Sequence, residues 1–151
     1  MRYLIYVICC SLVIIYYGCS CGCPVPTEEE ITNKVMGKGE YNLVMEDSSG
    51  VKILDGVLKV VKAGKNAISG SYSLTKVYME NFPGLYSMKG VFSGSVDSSS
   101  NKVFINTNPK VADNNVTLNL EQKNNKFEGY WTYRTITTFE PLKGTCIITK
   151  K

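Results

Sequence analysis

The sequence contains no histidine, one tryptophan and only two arginines among its 151 residues. Histidine is the commonest general base and the usual partner of serine and cysteine nucleophiles. Its absence therefore excludes the familiar histidine-dependent hydrolase sites and most zinc sites. The carboxylates form no catalytic pair, because Glu28, Glu29 and Glu30 make one acidic run and Glu128 lies on the outer side of a predicted strand. We therefore expect no catalytic residues, no metal site and no cofactor.

Basic clusters and nucleotide-binding motifs are also missing. The formal net charge of the chain is +4, and the basic residues are scattered along it rather than gathered in a run or an aromatic–basic stripe. This pattern argues against a nucleic-acid partner. No glycine-rich phosphate loop and no metal-ligand spacing occurs. The sequence consequently indicates a protein that works by binding and not as an enzyme.

An apolar segment at the start of the chain is typical of an export signal. Arg2 precedes an almost unbroken apolar run at positions 4–17, which is short for a membrane span and matches the hydrophobic region of a signal peptide. Gly18 and Cys19 close this run and resemble the lipobox of bacterial lipoproteins. The resemblance implies cleavage before Cys19, acylation of Cys19 with palmitate, and a lipid anchor on the secreted side of a bacterial membrane in the cell envelope.

The match to the lipobox is incomplete. The family usually carries a leucine-like residue and a small residue where this chain has Tyr16 and Tyr17. Cys21 and Cys23 are alternative acylation sites, since Gly22-Cys23 is also a small residue followed by cysteine. The resulting division is a signal peptide at 1–18, a lipidated tether at 19–39 and one domain at 40–151.

The tether carries a possible helix signal. Thr27 and Glu30 have the spacing of a capping box, and apolar residues on one helical face follow, up to Met36. This pattern predicts a short helix over 28–36, ended by Gly37. A flexible acidic linker is the alternative interpretation.

From Glu40 onward, apolar and polar residues alternate with the period of β-strands, and turn residues separate the segments. Eight strands are predicted, near 41–46, 54–60, 68–75, 88–97, 103–105, 116–121, 127–134 and 144–149. The regular spacing indicates an all-β antiparallel sandwich or barrel. Glycines recur on the apolar side of these strands, where they permit sharp coiling, and so favour an eight-stranded up-and-down barrel.

This pattern resembles the lipocalin and avidin group of eight-stranded barrels, and bacterial lipoproteins with lipocalin-like domains. The resemblance covers 40–151 and rests on strand number, hairpin order and glycine–aromatic alternation such as Phe127-Glu128-Gly129-Tyr130-Trp131. The Gly-x-Trp that lipocalins carry near their first strand is absent, and no binding residues are carried over from the family.

The inward-facing side of the predicted barrel carries apolar side chains, and its few polar groups are mainly tyrosine hydroxyls and the tryptophan N–H. Tyr72, Phe92, Trp131 and Tyr133 lie on that side and would line a pocket for a small apolar ligand if the barrel is hollow. A solid core with the tyrosines at the rim is the alternative. Cys146 lies on the same side and is interpreted as a small buried hydrophobe.

The segment 76–87 breaks the strand pattern and is rich in apolar side chains. Tyr78, Phe82, Leu85 and Tyr86 would form either a lid over the barrel or a loop that docks a protein partner. The second possibility describes an inhibitor or an adhesion protein, which is the alternative to the leading interpretation, an exported lipid-anchored barrel that binds a small apolar ligand. Alternatively, the segment joins two strand ends and folds its aromatics back on the core.

Overall fold

A computed structural model describes residues 35–80, 82, 85, 87–111, 113–137 and 140–151. Each of its eight strands pairs antiparallel with the next along the chain, and the last pairs with the first, so that the sheet closes into a barrel. The strands are β1 (Gly39–Asp47), β2 (Lys52–Ala63), β3 (Ala67–Val77), β4 (Lys89–Asp97), β5 (Lys102–Asn106), β6 (Asn115–Lys123), β7 (Lys126–Arg134) and β8 (Leu142–Lys150). The predicted all-β, eight-stranded antiparallel barrel is confirmed.

The predicted helix over 28–36 lies outside the described residues, apart from Val35 and Met36, which lie in a bend. The described part of the chain contains no helix, and therefore none that is long and apolar enough to span a bilayer.

The alternation of apolar and polar residues in the sequence corresponds to inward-facing and outward-facing side chains in the barrel. In β6, for example, Val116, Leu118 and Leu120 are buried, while Thr117 and Asn119 between them are half-buried on the outer face. Successive side chains of a strand point to opposite faces, so eight strands in matching register collect one apolar set inside. That set forms a single core cluster.

Three large inward aromatics each face a glycine on the neighbouring strand. The pairs are Tyr72 with Gly90, Phe92 with Gly70, and Trp131 with Gly144. At Gly90 a Cβ atom would lie 2.5 Å from the ring of Tyr72, and at Gly144 it would lie 2.7 Å from Nε1 of Trp131. The glycines that suggested a barrel therefore also make room for its largest side chains.

The two ends of the barrel differ in their connections. At one end, which we call the turn end, short turns at 64–66, 98–101 and 124–125 join consecutive strands. Asn124 adopts a φ of 56°, in the left-handed region that asparagine tolerates better than most residues. At the other end, the loop end, connections span 48–51, 78–88, 107–114 and 135–141.

A buried apolar side chain closes each end. At the turn end, Met36 is fully buried, and the hydroxyl of Tyr41 donates to the carbonyl of Gly37 at 2.8 Å, which fixes the entering chain. At the loop end, Phe82 packs edge-on against Trp131 with ring centroids 5.4 Å apart. The segment before β1 therefore enters the barrel at the end opposite to the long loops.

Candidate functional site

The four side chains predicted to line a pocket lie in the core. Phe92, Trp131 and Tyr133 are almost fully buried, and Tyr72 retains 8% of its surface. The polar groups of buried tyrosine and tryptophan side chains require hydrogen-bond partners, and those of Trp131 and Tyr133 have them. The indole N–H of Trp131 donates to the carbonyl oxygen of Glu46 at 2.7 Å, and the hydroxyl of Tyr133 donates to Asn114 Oδ1.

The middle of the barrel is packed with side chains. Leu58, Ile105, Val116 and Leu118 expose none of their surface. A side chain that lined a cavity large enough for a ligand would keep surface accessible to that cavity. The packing of these residues therefore resembles a protein core more closely than a binding chamber.

A small pocket opens at the loop end, beside Tyr72. Its volume is about 260 Å³, and Leu85, Gly90, Thr107 and Asn108 contribute to its lining. Burial raises the pKa of the Tyr72 hydroxyl, which stays protonated at neutral pH. This pocket is smaller than the roughly 300–1,000 Å³ of typical small-molecule sites.

The segment 76–87 contributes side chains to both the core and the surface. Phe82 is buried against Trp131, and Leu85 is half-buried on the same core. Tyr78 is 44% exposed. Tyr86, the fourth residue predicted for this loop, lies outside the described residues, as does the predicted lipidation residue Cys19.

A polar contact holds the start of this loop against β2. The hydroxyl of Tyr78 donates to the Asp55 carboxylate at 2.7 Å, and Lys52 lies 3.1 Å from the same carboxylate. The ammonium of Lys76 lies 4.5 Å from the centroid of the Tyr78 ring, within cation–π range. The hydrogen bond from Tyr78, with a smaller effect of Lys52, lowers the pKa of Asp55. The sequence pattern placed Asp55 only on the outer face and did not reveal this contact.

Exposed apolar side chains concentrate at the loop end. Twelve large hydrophobic residues of the described part are exposed, and eight of them lie in the loop-end connections or directly next to them. These eight, which we call the apolar crown, are Val51, Val77, Tyr78, Met79, Met88, Val111, Ile136 and Leu142. Sequence reasoning identified only Tyr78 of this group as a candidate site residue.

Outside the crown, two exposed aromatics flank a groove on the barrel wall. Phe104 and Tyr130 stand on either side of Asn119 in the register of β5, β6 and β7. The groove has a volume of about 520 Å³. Tyr130 lies between Gly129 and the buried Trp131, so its exposure agrees with the alternation of inward and outward side chains along β7.

Chemically reactive groups are scarce among the described residues. Cys146 is a free thiol in the core, and burial raises its pKa well above the ordinary range. A buried, protonated thiol is a poor nucleophile. In the described ranges, histidine, cysteine and carboxylate side chains form no group that could hold a metal ion.

No family model, no curated protein and no solved structure matches this chain.

Proposed function

We propose that this protein is an envelope lipoprotein that docks a protein partner through the apolar crown at its loop end. The crown is the observation that supports the proposal. It draws exposed apolar side chains from all four connections of the loop end. Exposed apolar side chains gathered on one surface of a protein mark binding sites, whereas singly scattered ones are ordinary. Tyrosine and methionine, both present in the crown, are enriched in protein interfaces. The function belongs to the inhibitor or adhesion class.

The barrel scaffold is the only part of the resemblance to lipocalins that the proposal uses. A packed barrel is a rigid support, and the loops that it presents at one end are the natural place for recognition. Phe82 fixes the position of one of these loops, because its contact with Trp131 holds the segment that bears Tyr78 and Met79 against the core. The packed interior favours docking over ligand storage.

The proposed anchor is compatible with this direction of docking. Fifteen residues separate Cys19 from Val35, and such a segment spans at most about 55 Å. Val35 and Met36 pack at the turn end. An acylated Cys19 would therefore leave the loop end free to meet a partner.

The anchor is tested by replacing Cys19 with serine in the producing cell. We expect the variant to lose palmitate incorporation and to leave the membrane fraction. Matched variants at Cys21 and Cys23 identify the acylated residue if Cys19→Ser still pellets with membranes.

Docking is tested by placing a photo-crosslinking amino acid at Ile136, which is 86% exposed in the crown, and at Val61, which is exposed on the barrel wall. We expect one defined protein adduct from position 136 and none from position 61. With the purified partner, Ile136→Lys should weaken binding by about tenfold or more, the loss of roughly 1.4 kcal/mol, while Val61→Lys leaves it unchanged. Equal crosslinking at both positions would refute the proposal.

A second candidate function is the binding of a small apolar ligand, supported by the pocket beside Tyr72. Titration with N-phenylnaphthylamine tests it. We expect saturable binding that perturbs the emission of Trp131 and is weakened by Leu85→Ala. An unchanged emission at saturating probe would remove this candidate.

A further inference from the structure

The charged side chains of the described residues are unevenly distributed between the two halves of the barrel. The turn-end half carries nine lysines and four carboxylates, whereas the loop-end half carries six basic and six acidic side chains. The lysines of the turn-end half are Lys38, Lys59, Lys62, Lys65, Lys102, Lys123, Lys126, Lys150 and Lys151. The net side-chain charge is thus +5 in one half and zero in the other.

Three of the four carboxylates in the turn-end half are already paired with lysine. Glu128 lies 2.5 Å from the ammonium of Lys126, Glu121 lies 3.9 Å from Lys123, and Glu40 lies within 4 Å of two lysines. The fourth, Asp97, accepts hydrogen bonds from the hydroxyls of the turn that follows it. The carboxylates of this half are therefore held by local contacts.

Lysines remain available at the turn end. Lys62 and Lys65 lie on either side of Gly64 in the β2–β3 turn, are exposed, and form no ion pair with any described residue. Lys102 opens β5 and is also exposed without such a pair. These ammonium groups are free to meet an anionic surface.

The chain enters the barrel at this same end. Val35 lies beside Tyr41 and Phe127, at the edge of the barrel formed by the turn end, and 34 residues precede it. A membrane attachment within those residues would bring the basic half of the barrel closest to the lipid. Anionic lipid attracts nearby lysines, and this attraction falls off within about one Debye length, roughly 8 Å at physiological ionic strength.

We propose that the turn end of the barrel lies on an anionic phospholipid bilayer, held there by its lysines, with the apolar crown facing away. The inference rests on the anchoring part of the proposed function and adds an orientation and a lipid specificity to it. Both the basic half and the chain entry point lie at the same end. That coincidence favours a bilayer over a soluble polyanion, which would need no attachment there.

Lysine footprinting tests the orientation. The full chain is reconstituted in vesicles of phosphatidylcholine alone and of phosphatidylcholine with phosphatidylglycerol, and is then acetylated briefly and read by mass spectrometry. We expect acetylation of Lys62, Lys65 and Lys102 to slow severalfold on the anionic vesicles, with no change at Lys110 and Lys143 in the loop-end half. Salt at about 1 M, where the Debye length is about 3 Å, should abolish the difference.

Charge reversal provides the matched control. The double variant Lys62→Glu and Lys65→Glu should remove the protection of Lys102, whereas Lys110→Glu and Lys143→Glu should preserve it. Thermal denaturation of both variants verifies that the barrel is intact.

Three results would overturn the proposal. These are equal labelling of both ends on both kinds of vesicle, protection of the loop end instead, and protection of the turn end by soluble heparin but not by anionic vesicles. The palmitate assay on Cys19 reports the anchor separately. A failed anchor with intact lysine protection, or the reverse, therefore identifies which of the two proposals is wrong.

Discussion

Trp131→Ala is the most direct test of how the barrel is held together. The indole ring is buried, packs edge-on against Phe82, and donates its N–H to the carbonyl of Glu46 on a strand that is 85 positions away in sequence. Substitution by alanine removes all three interactions and leaves a cavity that the rigid sheet cannot close.

The magnitude follows from these contacts. Truncation of a buried tryptophan or phenylalanine to alanine typically costs about 3–5 kcal/mol of unfolding free energy. The edge-on contact with Phe82 contributes about 0.5–1.5 kcal/mol beyond its buried area, and the lost hydrogen bond about 1 kcal/mol. We therefore expect a loss in the upper part of the range, about 4–5 kcal/mol. Trp131→Phe keeps most of the ring volume and should cost about 1–2 kcal/mol.

Urea denaturation followed by far-ultraviolet circular dichroism measures this loss, since the substitution removes the only tryptophan. Ser71 is the control, because its side chain lies on the outer face of β3 and Ser71→Ala should change stability by less than about 0.5 kcal/mol. If Trp131→Ala lost less than about 1 kcal/mol, or if both substitutions lost the same, the assigned register would be wrong.

Four other measurements test individual contacts of the barrel. Phe82→Ala should lower stability by about 2–4 kcal/mol in the same urea assay, because Phe82 caps the core, and unchanged stability would mean that the loop is independent of it. Gly129→Ala should prevent folding or sharply lower the melting temperature, since its Cβ would lie 1.9 Å from a backbone oxygen of β6. Asp97 should titrate near pH 2 by NMR, because hydroxyl and backbone donors of its turn hold its pKa at about 2. The pKa of Asp97 in the folded state is lower than its ordinary value of 3.8, so the ionised carboxylate stabilises the fold. This stabilisation is complete above pH 3.8 and is lost as the pH falls toward 2. Asp97→Asn should remove this part of the dependence of stability on acid. Cys146 should react with maleimide only upon unfolding, as judged from the mass of its peptide, and fast labelling of the native chain would contradict its burial.

The barrel was predictable because its alternation is regular. Leu118 and Trp131 lie at paired positions of β6 and β7, and both are buried as their parity requires. Because successive side chains of a strand point to opposite faces of the sheet, a correct strand assignment also identifies the residues of the core. The inward glycines added the curvature that distinguishes a barrel from a sandwich.

The loop end was less predictable, since its side chains obey no period. Phe82 and Tyr78 are four positions apart with similar composition around them, yet one caps the core and the other bonds Asp55 on the surface. Only the three-dimensional path of the segment decides between these outcomes. The division of charge between the two ends could have been found in the sequence, because consecutive hairpins place alternate connections at opposite ends.

The seam between β1 and β8 differs from every other strand pair, and this has a consequence for how the barrel forms. All other pairs join consecutive strands, whereas the seam pairs Tyr41 with Lys150. Contacts between residues so distant in sequence slow folding, because a long loop must close before they form. Until β8 is available, β1 and β7 present open edges that can pair with other chains. β8, which is synthesised after the other seven strands of the barrel, therefore closes the sheet and covers the open edges of β1 and β7.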